Sequence, residues 1–448
     1  MQVKLGLKMA IIAMLVVMLQ IGLWSIHDQV RQRQRLQQEV IAEIADSAAA
    51  EQTLIGPLLL LEYPERVQEA SQDGQPPREH TVLRRQVFSL DALTIDGSVS
   101  VETRQRSIYR TNLFRATLAL QGTMALPARL GLDDAQARQA QLDKARAFVL
   151  LGVSDLRGIG NSPTLQVNGR SLAFQTGHRG ALESPAIHAE LGPVDLNRAQ
   201  EFTLQLPLEL LGSQRLAIAP TADLTQVALQ SAWPHPSFQG RFLPARRDIG
   251  ADGFSAQWQV SHLARDFGQT LRAGLSRSHN ETLEVQFANP VNIYSLSERA
   301  MKYGILFIVL SFAAFFLIET LQRRAIHPMQ YLLVGLALAI FFLLLLALSE
   351  RIAFGAAYAI SAAACVLLIG SYLGAMLGNR GQGFGLAGGI ASLYGILYGI
   401  LLSEDNALLM GSLLLFGALT ALMLGTRHID WYALGAARPA AKESRHEQ

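Results

Sequence analysis

The residues best suited to binding chemistry lie in two stretches in the middle of the chain. In GVSDLRGIGNSP, Asp155 and Arg157 stand between glycines, which predicts either a rigid ion-paired turn or a binding loop, with the turn favoured. In SAWPHPSFQGRFLPARR, prolines alternate with Trp233, His235 and Phe238. Proline fixes φ, so the backbone is extended and the rings are held in place. This stretch predicts a docking surface or, equally, a buried crossover anchored by Trp233 and Phe238.

Catalytic motifs are missing from the sequence. It contains no helical double-histidine zinc motif, no phosphate-binding loop ending in Gly-Lys-Ser/Thr and no Gly-x-Ser-x-Gly nucleophile elbow. The glycines of GQGFGLAGG fit a dinucleotide-binding pattern, but they open an apolar run instead of following a strand, so helix packing explains them better. The histidines are scattered, and only His262 and Asp266 have a ligand-like spacing. We therefore expect no enzyme, no cofactor and no metal.

Five long apolar segments dominate the C-terminal part of the chain. Each has the roughly 20 apolar residues that a helix needs to cross about 30 Å of hydrocarbon. They are Met301–Leu321, Met329–Ser349, Ile352–Leu377, Gly383–Leu402 and Asn406–Gly425. They predict a five-helix transmembrane bundle.

A further apolar run lies near the N-terminus. Lys4 and Lys8 precede an uncharged stretch from Met9 to Ile26, and IHDQVRQRQRLQQEV follows it without a small-x-small cleavage site. This pattern predicts an uncleaved membrane anchor. The apolar spacing from Val30 to Ala50 predicts that the anchor helix continues beyond the membrane.

Charges at the segment ends orient these spans. Short cytoplasmic loops are enriched in Lys and Arg, and one side carries Arg323, Arg324, Arg380 and the basic tail, whereas the other carries the Glu350–Arg351 and Glu404–Asp405 corners. The arginines just after the anchor oppose this tendency, but the rule weakens before a large translocated domain. The sequence predicts six spans in a bacterial inner membrane, both termini in the cytoplasm and the middle region in the periplasm.

Ionisable residues of the bundle fall near span ends. Lys302, Glu319, Glu350 and Asp405 can all reach the interface, and Glu319 has the spacing to pair with Arg323. Proton- or ion-coupled carriers place such groups deep in the membrane, so this distribution disfavours a coupled carrier. It leaves transport of an apolar or lipid-like substrate open.

The middle region has the alternating pattern of β-strands. Apolar residues alternate through 118–126 and 202–210. LTIDGSVSVE predicts a hairpin with Asp96–Gly97–Ser98 as its loop, and LQVNGRSLAF predicts a hairpin with an Asn168–Gly169 turn. One helix, capped by Asp133 or Asp134, is expected over 133–146. A sandwich or a twisted open sheet follows, without a disulfide, because the chain's single cysteine, Cys365, lies in an apolar segment.

These patterns together predict an α+β membrane protein with four regions. Residues 1–28 form the cytoplasmic N-terminus and anchor, 29–298 a mainly-β periplasmic domain that is one domain or two, 299–426 the five-helix bundle and 427–448 a cytoplasmic tail.

Several stretches resemble the CreD family of bacterial inner-membrane proteins. They are GVSDLRGIG, SAWPHPSFQGRFLPARR, RHIDWY and the long run from RAMKYG to LALSE, and the resemblance covers most of the chain. It implies an envelope-integrity protein of Gram-negative bacteria, expressed under a two-component system of the CreBC type and linked to envelope stress and β-lactam responses. It carries no catalytic residues over to this sequence.

Function narrows to two hypotheses. The formal charge of +2 is too small to indicate nucleic-acid binding, so the expected partners are the lipid bilayer and a periplasmic or envelope-assembly protein. In the favoured hypothesis the β domain docks such a protein and the whole chain acts as a scaffold. In the alternative, the bundle transports or flips a lipid-like envelope precursor. The sequence does not indicate an oligomeric state.

Overall fold

A computed structural model of the protein describes residues 2–69, 78–182, 184–264, 281–287, 293–322, 326–377, 380–403 and 406–427. The chain forms two compact units. Met1–Gln37 and Val291–Gln448 make up the helical unit, and Gln38–Pro290 make up the β unit.

The α-helices lie mostly in the helical unit. They are α1 (Gln2–Ser47), α2 (Asp134–Gln139, in the β unit), α3 (Ile293–Lys302), α4 (Gly304–Gln322), α5 (Pro328–Ser349), α6 (Phe354–Leu377), α7 (Arg380–Leu402) and α8 (Ala407–Thr426). The expected continuation of the anchor helix is confirmed, since α1 runs without a break to Ser47.

Membrane-spanning length is met by several of these helices. Four described helices, α1, α5, α6 and α7, are long and apolar enough to cross a membrane, and α3 with α4 gives a fifth if that bent pair is one span. A shorter apolar helix covers Leu409–Leu424 within α8. The corner residues Arg323, Arg324, Glu404 and Asp405 lie outside the described residues.

The β unit contains two eight-stranded sheets. The strands are β1 (Gln52–Glu69), β2 (Arg78–Phe88), β3 (Ala92–Arg106), β4 (Tyr109–Leu126), β5 (Arg146–Val153), β6 (Thr164–Val167), β7 (Arg170–Ala173), β8 (Gln175–Thr176), β9 (Ala186–Pro193), β10 (Gln200–Ser213), β11 (Arg215–Ala219), β12 (Leu224–Ser231), β13 (Pro236–Gly240), β14 (Arg246–Gly250), β15 (Gly253–Ser261) and β16 (Leu283–Phe287). The first sheet has the order β13-β16-β11-β1-β5-β9-β8 with β2 beside β1, and the second has the order β14-β15-β12-β3-β4-β10-β6-β7.

The two sheets share one apolar core. Leu61 of β1 and Val149 of β5, from the first sheet, belong to the same buried cluster as Leu118 of β4 and Leu206 of β10, from the second. Alternate residues of β4 and β10 supply this cluster, because side chains along a strand point to opposite faces. The alternation predicted for 118–126 and 202–210 is therefore confirmed, and the β unit is a sandwich.

The hairpin predicted at Asp96–Gly97–Ser98 is wrong. β3 runs straight through these residues, paired with β4 on one side and with β12 on the other. Gly97 serves packing here, because a Cβ at this position would lie 2.5 Å from Leu118 Cδ2 and 2.8 Å from Leu229 Cδ2. The hairpin turn comes ten residues later, after Arg106.

The second predicted hairpin is confirmed. Leu165 pairs with Leu172 across β6 and β7. Asn168 and Gly169 both have positive φ, 47° and 81°, as a two-residue type I′ turn requires.

The helix predicted over 133–146 is shorter than expected. Asp133 caps it as predicted, since its Oδ1 accepts from the Gln136 N–H at 2.8 Å. The helix ends at Gln139, because Ala140 bridges to Glu65 of β1 and the Gln141 N–H donates to the Pro64 carbonyl at 2.8 Å. Pairing with the sheet thus overrides local helix propensity.

Candidate functional site

Asp155 and Arg157 form a closed turn after β5. Asp155 accepts hydrogen bonds from the Arg157 guanidinium at 2.7 Å, from the Arg157 N–H at 3.0 Å and from the Ala50 N–H at 3.1 Å. The side-chain bond from Arg157 is the main reason that the pKa of Asp155 falls to about 2, with the backbone bonds adding to it against burial. Gly158 is buried against Gln52 and the Leu211 carbonyl, where a Cβ would collide. This geometry favours the structural interpretation over a binding loop.

The Trp233–Phe238 stretch connects the two sheets. Phe238, on β13, packs edge-on against Phe254 and Trp258 at centroid distances of 5.6 and 5.7 Å. Trp233 is half-buried against the core, and its Nε1–H donates to the His235 carbonyl at 3.1 Å. Its ring meets the His235 ring edge-on at 6.3 Å. The predicted aromatic residues are brought together, and they anchor a crossover.

The same stretch also builds an open side of the sandwich. β13 is the end strand of the first sheet and β14 is the end strand of the second, so residues 236–250 supply an edge of both sheets. All five residues of β14 are exposed. Within the described ranges, no strand pairs with the outer edge of either β13 or β14. We call residues 236–250 the open side.

The open side carries apolar and basic groups. Leu243 is 65% exposed and Ile249 is 46% exposed. Ile249 pairs with the buried Phe254, so the two side chains lie on the same, core-facing side of the sheet. Arg246 and Arg247 are exposed, and neither has an ion-pair partner among the residues that the structure describes. Sequence reasoning singled out the stretch that contains Leu243 and both arginines but named only its aromatic residues, and it missed Ile249.

A buried carboxylate that the sequence reasoning missed lies on β1. Glu62 is 6% exposed and accepts from Arg179 at 2.7 Å and from Arg85 at 3.1 Å. Burial raises its pKa, but the two arginines outweigh burial, so the pKa falls below its usual value. The Arg179 guanidinium also stacks on the Phe148 ring at 3.8 Å. The only signal in the sequence was the glutamate that ends the apolar run LLLLE.

Two further carboxylates lie at opposite ends of the helical unit. Glu319 of α4 accepts from Lys8 of α1, and the Tyr331 hydroxyl donates to it at 2.9 Å. Glu350, which follows α5, pairs with Arg33 of α1 at 3.5 Å and accepts from Tyr294 at 3.2 Å. The expected partner of Glu319, Arg323, lies outside the described residues, so that prediction stays open.

Helix α1 is therefore a packed member of the bundle. Lys8 and Arg33 are 25 residues apart, which spans about 38 Å of helix, enough to place both charges at membrane interfaces. Between them, Leu19 and Leu23 are buried. A Cβ on Gly304 would lie 3.1 Å from Leu23, and one on Gly335 would collide with Leu19. The pair with Glu350 also explains Arg33, which opposed the charge rule in the sequence.

A groove lies between α6 and α7. It has a volume of about 490 Å³ and is lined by small residues and by Tyr358, Tyr394 and Tyr398. The Tyr358 hydroxyl donates to the Tyr394 carbonyl at 2.7 Å, and the Tyr394 hydroxyl donates to Cys365 Sγ at 3.2 Å. The groove therefore brings three tyrosine hydroxyls to the α6–α7 interface.

Metal ligands are not grouped in the described part of the chain. No three His, Cys, Asp or Glu side chains there come close enough to hold an ion. His188 is buried, and its Nδ1 lies 2.9 Å from the Gly177 carbonyl. Asp266, the expected companion of His262, lies outside the described residues.

Comparisons with known proteins identify the family. A family model described as "Inner membrane protein CreD" matches residues 4–432. The "Inner membrane protein CreD" of Escherichia coli (strain K12) is 34% identical over 430 residues, which cover 96% of this chain and 94% of that one. A solved M1 zinc metallopeptidase of Deinococcus radiodurans aligns at 9% identity and a TM-score of 0.19, over 44% of this chain and 42% of that one, which is too weak to support any argument about fold or chemistry. The family match spans nearly the whole chain and agrees with the apolar helices and the β region, so the chain belongs to the CreD family of inner-membrane proteins.

Proposed function

We propose that the protein is a scaffold of the cell envelope whose β unit docks an envelope-assembly protein in the periplasm. In this proposal the chain crosses the inner membrane six times, through α1, the bent pair α3–α4, and α5 to α8. Both termini lie in the cytoplasm and the β unit is periplasmic. The asymmetry of Lys and Arg at the helix ends supports this orientation.

The open side of the sandwich is the observation that carries the proposal. A free strand edge presents unpaired backbone N–H and C=O groups, which another chain can use to add a strand. Native proteins usually protect free strand edges against pairing. Here an end strand of each sheet lies on the same side of the sandwich, next to the exposed Leu243 and Ile249. Such a surface fits an extended segment of a partner protein.

The positive charge on β14 restricts which residue types the partner segment can carry. Arg246 and Arg247 project from the strand edge without described ion-pair partners. An extended segment with acidic residues next to these arginines and an apolar residue next to Ile249 would match this edge, because complementary charge steers association and excludes wrong partners. We propose a docking role without catalysis, since the buried carboxylate of the β unit, Glu62, is held by two arginines.

Complementation of a deletion strain tests the docking role. The full-length variant Leu243→Glu/Ile249→Glu places two carboxylates beside an acidic partner, and we expect it to lose protection against envelope stress although it accumulates normally. Leu83→Glu is the matched control, because Leu83 is 54% exposed on β2, which is not part of the open side, and it should protect like wild type. Normal protection by the double variant would contradict the proposal.

Transport of a lipid-like envelope precursor is the second candidate. The groove between α6 and α7 favours it, because a pocket of about 490 Å³ is within the size range of small-molecule sites. The two functions separate cleanly: under transport, variants that fill the groove abolish protection, whereas variants of the open side leave protection unchanged. Under docking, the reverse pattern is expected.

A further inference from the structure

The groove exists because α6 and α7 touch at one end and part at the other. Gly374 and Gly383 are in direct backbone contact, where a Cβ on Gly383 would lie 2.5 Å from the Gly374 Cα. A Cβ on Gly370 would likewise lie 2.7 Å from the Ala387 Cβ. Toward the other end, tyrosine rings stand between the helices and small residues such as Gly355 and Ala363 leave the space beside them open.

One tyrosine hydroxyl in the groove makes no hydrogen bond to the described residues. The hydroxyls of Tyr358 and Tyr394 are both hydrogen-bonded, whereas that of Tyr398 has no hydrogen-bond partner within the part of the chain that the structure describes. It lies 2.9 Å from where a Cβ of Gly355 would be, so a side chain at 355 would crowd it. The Tyr398 ring packs on Tyr358 at a centroid distance of 4.9 Å, which fixes its direction.

The groove is continuous with the lipid-facing surface. Ile360 and Leu367 of α6 and Ile396 of α7 flank it and are 51%, 68% and 43% exposed. In an inner-membrane protein these side chains contact the bilayer, so acyl chains reach the mouth of the groove. We propose that the groove holds one acyl chain of a bilayer phospholipid, with the Tyr398 hydroxyl donating to the ester carbonyl of that chain.

The depth of Tyr398 agrees with this arrangement. It lies about one turn before the end of α7 at Leu402, at the level of the start of α6. Tyrosines at this depth place their hydroxyls at the membrane interface, where the ester groups of phospholipids lie. Under the proposed topology this is the periplasmic leaflet, and that assignment alone rests on the proposed function.

Retention of lipid by the full-length protein tests the proposal. The protein is reconstituted in vesicles of dioleoyl phosphatidylethanolamine and dioleoyl phosphatidylglycerol, extracted in mild detergent and weighed by native mass spectrometry. Ala363→Phe fills the groove and should lower the retained phospholipid by about tenfold, whereas Ala364→Phe should retain it. The pair is matched, because both alanines are exposed on α6 and only Ala363 lines the groove. Tyr398→Phe should lower retention about three- to tenfold, the loss expected for one hydrogen bond.

Several outcomes would overturn the proposal. Equal retention by Ala363→Phe and Ala364→Phe, whether high or low, excludes a specific groove site, and so does a wild-type protein that retains no phospholipid. If both phenylalanine variants fail to fold, Tyr398→Phe decides, and unchanged retention counts against the site. The open-side variant Leu243→Glu/Ile249→Glu should retain lipid like wild type, so failure of the docking role and failure of the lipid site are read separately.

Discussion

The β unit and the helical unit treat large apolar side chains in opposite ways. In the β unit, residues such as Leu60, Phe148 and Leu150 are fully buried. In the helical unit, Leu367 and Phe416 are exposed over most of their surface. An exposed apolar surface of this extent is a liability in water but is the normal outer surface in lipid. The contrast shows which part of the chain is surrounded by water and which part by lipid.

Ion pairs of the protein range from exposed to largely covered. Arg146 with Glu190, in the β unit, is an exposed pair. In the helical unit, Lys8 and Glu319 are both largely covered, and a tyrosine donates to the carboxylate. Surface pairs contribute little, while breaking a buried pair is costly. Loss of the Lys8–Glu319 pair should therefore cost more stability than loss of an exposed pair such as Arg146–Glu190.

The largest expected difference comes from equal truncations in the two units. Leu150→Ala in the β core should lower the free energy of unfolding by about 2–5 kcal/mol, because it removes buried contacts and leaves a cavity. Leu367→Ala should change it by less than about 0.5 kcal/mol, since its side chain faces lipid. Denaturant unfolding of the full-length protein in micelles measures both. Equal losses of unfolding free energy in the two variants would contradict the contrast between a buried β core and a lipid-facing helix surface.

Charge removal in the helical unit should have the next largest effect. Lys8→Met or Glu319→Gln should each destabilise the bundle by about 2–4 kcal/mol, because the remaining partner is left in a largely buried position. The double variant should lose less than the sum of the single ones. Arg146→Met, at an exposed pair, should cost at most about 1 kcal/mol. Additive losses at Lys8 and Glu319 in a double-mutant cycle would show that the pair is not coupled.

Acid should weaken the β unit through Asp155. Its folded pKa of about 2 lies below the ordinary value of 3.8, so the Asp155–Arg157 turn contributes stability above about pH 4 that is lost as pH falls toward 2. The stability at stake is at most about 2 kcal/mol, because the Arg157 side chain is 56% exposed and solvent weakens the pair. Unfolding followed by tryptophan fluorescence, with Trp258 in the β core, should show this step in wild type and not in Asp155→Asn. The same step in the variant would assign it to another carboxylate.

The smallest expected effect is Arg179→Lys. Lysine keeps the charge beside Glu62 but loses the planar stack on Phe148 and the two-nitrogen contact. We expect a loss of about 1 kcal/mol, measured by the same unfolding assay. Arg85→Lys, which has no ring beneath it among the described contacts, is the control and should lose less. A larger loss for Arg85→Lys would show that Arg85, and not Arg179, contributes more to the stability of the Glu62 cluster.

Sequence patterns predicted the elements better than their partners. The apolar runs and the alternation of β4 and β10 followed from periodicity alone, and so did the Asn168–Gly169 turn. Gly97 misled, because a glycine needed for close approach to Leu118 and Leu229 has the same letter as one needed for a turn. The helix over 133–146 was overestimated, because pairing of Ala140 with Glu65 depends on a strand far away in sequence.

The candidate sites show the same limit. The sequence singled out the stretch from Ser231 to Arg247. It could not show that this stretch leads into the end strands of both sheets, since strand order depends on contacts between distant segments. The pairs of Lys8 with Glu319 and of Arg33 with Glu350 join residues more than 300 positions apart. No local pattern carries that information. Asp155 and Arg157 were correctly expected to form an ion-paired turn because the partners are neighbours.

The docking claim is tested most directly by photo-crosslinking from the open side in growing cells. A photoreactive phenylalanine analogue replaces Ile249 in the full-length protein, and a second protein carries it at Leu83 as the control. We predict a discrete adduct from position 249 that is absent from position 83 and is lost when Arg246 and Arg247 are both changed to Glu. No adduct from position 249, or the same adducts from both positions, would contradict a docking role for the open side.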